Sequence, residues 1–177
     1  MATTYEVIES KTFSAVTSVT FTSIPQTYTD LVLIVSASAY YASPTYLTGG
    51  VQVGNGSVDT GSNYGGTFVY WDGNGTTGST YTGSTTSAKY IDITATPTDT
   101  GARGMWILDF NNYSNTTTFK PILQRNIATQ TTNTTDFARF GQQTWKSTSA
   151  INTIKILNID GTNFYSSTAT LYGIKAA

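Results

Sequence analysis

Apolar and polar residues alternate with a period of two along most of this chain. That period places successive side chains on opposite faces of an extended strand. The cleanest example runs from Lys11 to Thr22. Phe13, Ala15, Thr17, Val19 and Phe21 share one side, and Thr12, Ser14, Val16, Ser18, Thr20 and Thr22 the other. The pattern predicts a strand with a core side and a hydroxylated outer side. Pro25 lacks an N–H and fixes its own φ, so it ends this strand near Ile24. Three later stretches break the alternation by being apolar on both sides. They are Leu31 to Val35, Thr67 to Trp71 and Gly104 to Phe110. In the second, Phe68 and Tyr70 face one way and Val69 and Trp71 the other. In the third, Trp106, Leu108 and Phe110 oppose Met105 and Ile107. A two-sided strand is covered twice, by the core and by something else.

The remaining strands are expected at Tyr5 to Ile8, Val51 to Val53, Ala88 to Thr96, Phe119 to Ile127, Phe137 to Trp145, Ala150 to Ile159 and Asn163 to Lys175. In Ala88 to Thr96, Ile91 and Ile93 point inward and Tyr90, Asp92 and Thr94 outward. Turn signals separate them: Asn55-Gly56, Asn74-Gly75, Pro97 to Gly101 and Asp160-Gly161. No stretch sustains a 3.6-residue apolar period with caps, so little or no helix is expected. About ten strands spaced by Gly and Asn turns predict an all-β, two-sheet antiparallel sandwich with jelly-roll connectivity. The 177 residues fit one domain over 1–177, which at this size buries roughly 70% of its extended-chain surface.

Composition narrows the function. Charged residues make up 11% of the chain, and the net charge is -1. The nine Lys and Arg are scattered, which argues against a nucleic-acid partner. A weakly charged, hydroxyl-rich β surface suits packing against neighbours, because little charge must be desolvated. There is no cysteine and no histidine. Disulfides, thiolate metal sites and the usual neutral-pH general base are therefore excluded. A hydroxyl nucleophile would lack its histidine partner. Glu6, Glu9, Asp92, Asp109, Asp136 and Asp160 show no spacing that pairs two carboxyls around one bond. No enzyme and no cofactor is expected. The start, Met1-Ala-Thr-Thr-Tyr-Glu6, has no basic region and no apolar segment, and the longest apolar run is too short to span a bilayer. Synthesis and assembly in a cytoplasm, with no membrane partner, are expected.

Three sets of candidate residues follow. Tyr70, Trp71 and Trp106 lie on the two-sided strands and are expected as anchors of an interface, since large aromatics dominate interfaces as well as cores. Tyr40, Tyr41, Tyr46, Tyr64 and Tyr81 fall in loop regions, where they could stack on a sugar or pack their own loops. Asp59, Ser62, Asn63 and Asp72 offer oxygens in a Gly-rich region, either to a hard cation or to Asx turns. No calcium loop is present, the turns are preferred, and no metal site is assigned.

The segment Ser23-Ile24-Pro25-Gln26-Thr27-Tyr28-Thr29-Asp30-Leu31-Val32-Leu33 resembles a signature of small β-sandwich domains in virion surface proteins of tailed bacteriophages, those of cyanobacteria included. The segments Asp59-Thr60-Gly61-Ser62-Asn63-Tyr64, Gly73-Asn74-Gly75 and Leu171-Tyr172-Gly173-Ile174 are similar too. The resemblance implies a structural role on the virion, in head or tail, with no catalytic residues. Without heptads or an adaptor arm, a capsid decoration (cement) protein is expected, bound to the major capsid protein as a homo-oligomer such as a homotrimer. The alternative is a tail-fibre domain that binds host-surface carbohydrate.

Overall fold

A computed structural model describes residues 4–41, 46–73, 75, 77–96, 102–129 and 136–175. All of its regular structure is β, and none of the described residues is helical. The described residues form thirteen strands, more than the ten expected, because the Gly-rich middle is better paired than its turns suggest and adds Ser57–Val58 and Thr77–Thr85. In chain order they are β1 (Tyr5–Phe13), β2 (Ser18–Phe21), β3 (Asp30–Tyr40), β4 (Tyr46–Asn55), β5 (Ser57–Val58), β6 (Tyr64–Asp72) and β7 (Thr77–Thr85). β8 (Ala88–Thr96), β9 (Gly104–Asn111), β10 (Lys120–Thr129), β11 (Asp136–Trp145), β12 (Thr153–Asn158) and β13 (Ser167–Ile174) follow.

The larger layer has the antiparallel order β1-β13-β3-β9-β10-β11-β6-β7. The smaller has the order β2-β12-β4-β8, with β5 folded back on β4. The end of β3, from Ser38 to Tyr40, pairs in parallel with β8 and ties the two layers together. The sandwich is as expected. Its connectivity departs from a plain jelly roll in the β9-β10-β11 meander and in that parallel contact.

The core lies between the layers. Leu31, Leu33, Val35, Trp106, Leu108, Phe110 and Leu171 come from the larger sheet. Val51, Val53, Ile91, Ile93, Ile154 and Ile156 come from the smaller. Trp106 lies directly over Gly49 of β4. A Cβ added at Gly49 would stand 2.8 Å from the Trp106 ring and 2.8 Å from the Ile91 carbonyl oxygen. Glycine is thus what lets β4 approach the indole.

The strand expected from Lys11 to Thr22 is cut. Ala15 takes φ 56°, and its N–H donates to the Phe164 carbonyl at 2.8 Å. The chain turns there from the larger sheet to the smaller, so Phe13 and Phe21 are buried while Ala15 and Thr17 are exposed. The alternation is real, but it runs across a corner. The Pro25 corner holds: β2 ends at Phe21, Ser23 takes φ 54°, and the Tyr113 hydroxyl donates to the Pro25 carbonyl. Ile91 and Ile93 are buried as expected. Thr94, expected outward, is buried too, because the end of β10 lies against β8 and the Thr129 N–H donates to Thr94 Oγ1 at 3.2 Å. The side chains of Tyr90 and Asp92, and the turns at Asn74 and Pro97 to Gly101, lie outside the described residues.

Candidate functional site

The outer face of the larger sheet is apolar at its centre, and strand register builds that face. One cross-strand row runs Ser36, Met105, Ile127, Ala138, Trp71 over β3, β9, β10, β11 and β6. The next runs Ile34, Ile107, Arg125, Phe140, Val69. A third runs Val32, Asp109, Leu123, Gln142, Thr67. Opposed residues on adjacent antiparallel strands touch, so these rows form a continuous surface. Ile34, Val69, Trp71, Met105, Ile127 and Phe140 are each 37–51% exposed. Together they present on the order of 500 Å² of apolar side chain, at the upper end of what a monomer's largest patch offers.

The relief of the face follows from residue size. Ala138 is small and sits between Ile127 and Trp71 in its row, with Phe140 next on the same face of β11. A hollow of about 200 Å³ opens there, lined by Trp71, Met105, Ile107, Ile127, Ala138 and Phe140 among others. Two more hollows flank it. One of about 230 Å³ lies between Trp71 and the Asp136 end of β11. One of about 290 Å³ lies between Phe140, Val69 and Leu123. The Trp71 and Phe140 rings thus stand as ridges between depressions. The charged side chains within the three rows are Arg125 and Asp109, and they neutralise each other through an Nη2 to Oδ2 contact of 2.8 Å.

On β10 and β11 much of the opposite, inward side is polar. Gln124, Asn126, Arg139 and Gln143 are all buried beneath the smaller sheet. Gln143 Nε2 donates to the Lys89 carbonyl of β8 at 3.1 Å. The Arg139 guanidinium stands 5.6 Å from the Phe68 ring centre and 5.4 Å from that of Tyr70, the range of a cation–π contact. So the middle of β10 and β11 carries Gln124, Asn126, Arg139 and Gln143 inward and Ile127 and Phe140 outward, the reverse of an ordinary surface strand.

Of the three expected interface anchors, Trp71 alone lies on this face, 48% exposed. Tyr70 is its chain neighbour and therefore points the other way, half-buried over Arg139. Trp106 is fully buried and belongs to the core, because even-numbered positions of β9 face the smaller sheet. Met105, on the second side of the strand Gly104 to Phe110, belongs to the surface, and so do Phe140 and Ile127, which no single stretch singled out. The signal in the chain was their parity, opposite to that of Trp145, Ile122 and Trp106.

Of the tyrosines expected to bind sugar, the three with described side chains do not form one platform. Tyr40 and Tyr41 are exposed, and Tyr40 meets Tyr165 edge-on with ring centres 6.4 Å apart. Tyr64 is fully buried. Its hydroxyl donates to the Val53 and Asp59 carbonyls, each at 3.0 Å, and accepts from the Val53 N–H at 2.9 Å. Burial pushes that hydroxyl's pKa well above its usual value. Tyr64 is therefore a structural clamp, not a stacking platform. Tyr46 and Tyr81 fall within β4 and β7, and their side chains lie outside the described ones.

The Asp59 group forms an Asx turn. Asp59 Oδ1 accepts from the Gly61 N–H at 2.8 Å, and Oδ2 accepts from Asn63 Nδ2 and Trp145 Nε1, each at 2.8 Å. Burial pushes the carboxyl up, but the bonds from Trp145, Asn63 and Gly61 outweigh it and hold Asp59 below the usual range. Asp72 stands at the far end of β6, roughly 30 Å along an extended strand from Asn63, so the four oxygens do not share one site. Among the described residues no three acidic side chains cluster to hold a metal.

No family model matches the chain, and no curated protein matches it. Two solved structures of the Emp46p carbohydrate recognition domain, a point mutant and the potassium-bound form, are similar at 12% and 11% identity. Each similarity covers 96% of this chain and 88% of that one, with TM-scores of 0.32 and 0.30. Values this low carry no argument about function.

Proposed function

We propose that this chain is a structural protein of a tailed-bacteriophage virion, a decoration protein that binds the outer head surface as a homo-oligomer. The observation that carries the reading is the outer face of the larger sheet. A side chain as costly to expose as Trp71 sits among five other half-exposed apolar residues, on a β-sandwich with little charge. Such a surface favours burial against protein. The phage assignment itself draws on the Ser23 to Leu33 resemblance. Those residues work as an architectural corner: Pro25 receives the Tyr113 hydroxyl, and the Tyr28 ring packs on Gly173, leaving no room there for a Cβ. A corner of that kind is a feature of a rigid building unit.

The protein is then made in the host cytoplasm, joins the particle there, and contacts the major capsid protein and copies of itself. The test is reconstitution. Purified protein is mixed with phage heads stripped of their accessory proteins, and the heads are imaged by cryo-electron microscopy. The expected result is added density at regular lattice positions, lost with Trp71→Asp. Heads that stay bare, with binding to host-surface glycan instead, would reassign the protein to the tail.

A further inference from the structure

The apolar face fits a second copy of itself. We infer that two molecules pack face to face about a two-fold axis that passes beside Ala138. This rests on the reading of the face as an assembly surface and specifies its occupant. Three features of the face support that choice.

The first is shape. Ridge and hollow lie side by side on one surface: the Trp71 and Phe140 rings project, and depressions of about 200, 230 and 290 Å³ lie between and beside them. An isologous contact requires a surface to offer both a knob and a hole to its own rotated image, and this face offers both. Sheets also share one hand of twist, so the like faces of two sheets stack with strands nearly aligned, about 10 Å apart. The gap is filled by the rings themselves.

The second is charge. A two-fold brings a group beside the axis near its own copy, so an unpaired charge close to Ala138 would meet a like charge. Arg125 and Asp109 are bonded to each other at 2.8 Å and leave their rows neutral. Asp136 stands outside them, at the rim.

The third is area. About 500 Å² of apolar side chain forms the centre. With the rim of Thr67, Gln142 and Arg125, the face approaches the roughly 800 Å² per partner that a specific interface buries. A smaller patch would suit only a transient contact.

The chain has no cysteine, which allows a decisive experiment. Ala138→Cys places a single thiol beside the expected axis. Facing sheets stand too far apart for a direct disulfide, so a short bismaleimide is used as the bridge. The control is Lys155→Cys, on β12, whose parity is opposite to that of the buried Ile154 and Ile156 and which therefore lies on the outer side of the smaller layer, away from the patch. Sedimentation velocity of the unmodified protein is expected to show a dimer at tens of micromolar. The bismaleimide is expected to link Ala138→Cys into covalent dimers and to leave Lys155→Cys monomeric on a denaturing gel. Trp71→Ala is expected to weaken the dimer tenfold or more, with its circular dichroism unchanged. A monomer at these concentrations, a trimer or larger ring, or a dimer that neither cross-links through Ala138→Cys nor responds to Trp71→Ala would each overturn the two-fold contact. The outcome separates from that of the head-binding test. A protein monomeric in solution that still coats heads loses the dimer and keeps the virion role. A dimer that leaves heads bare does the opposite.

Discussion

Trp71 and Trp106 are the same side chain put to opposite uses. Trp106 is fully buried over Gly49, and Trp106→Ala is expected to cost about 3–5 kcal/mol of folding stability, the usual range for an aromatic deleted from a packed core. Trp71 is 48% exposed on the outer face. Trp71→Ala should change the stability of the isolated chain by less than about 1 kcal/mol, because little of what surrounds it is lost on truncation. Urea denaturation of both variants, at concentrations low enough to keep the chains apart, gives the comparison. Equal losses would mean that Trp71 is a core residue after all and that the face is not a surface. Gly49 tests the same packing from the other side. Gly49→Ala puts a methyl 2.8 Å from a backbone oxygen and 2.8 Å from the indole. Neither neighbour is a flexible side-chain end, so a loss of about 1–3 kcal/mol is expected, as for other overpacked core sites.

At the scale of strands, the pattern of apolar residues was legible where both parities were apolar. β3, β6 and β9 were each read as two-sided, and each carries core residues inward and half-exposed residues such as Ile34, Trp71 and Met105 outward. Two other features were hidden for identifiable reasons. The corner at Ala15 leaves the alternation of Phe13 and Phe21 intact, because Phe13 and Phe21 keep the same parity through the turn. A backbone torsion, not a side-chain pattern, marks the break. The inverted faces of β10 and β11 were hidden more deeply. Gln124, Asn126, Arg139 and Gln143 are polar, yet all four are buried. What holds Gln143 inward is the Lys89 carbonyl, 54 positions away along the chain, at 3.1 Å. A buried amide tolerates that position because it meets a backbone acceptor of β8 there. Such a partner is supplied by topology and has no local signal. The same holds for the candidate site: Trp71 was recognisable alone, whereas Phe140, Ile127 and Met105 became its neighbours only through register.

At the scale of the molecule, few charges and no histidine shape how stability responds to pH. Two carboxyls are held below their ordinary values. Bonds from Lys175 and Tyr28 lower Glu6, while Asp59 is lowered by Trp145, Asn63 and Gly61 against the opposing effect of burial. A carboxyl whose pKa is depressed on folding binds its proton more readily in the unfolded chain. It therefore adds stability above its unfolded pKa, near 4, and that stability is lost as pH falls through the folded value. With no imidazole or thiol to titrate near neutrality, little change is expected between about pH 5 and 7. The expected urea-midpoint profile is thus a plateau that declines below about pH 4. Asp59→Asn should flatten the decline, since the Glu6 side chain is about one-third exposed and its ion pair with the half-exposed Lys175 contributes less through screened contacts. A transition centred near pH 6 would contradict this account, because no group with an ordinary pKa there exists in the chain. The same scarcity of charge bears on assembly. A contact built on Trp71, Phe140 and a neutralised Arg125–Asp109 pair has few long-range fields to screen. Its dissociation constant should stay within about threefold from low to physiological salt, whereas a charge-steered contact would weaken steeply over that interval.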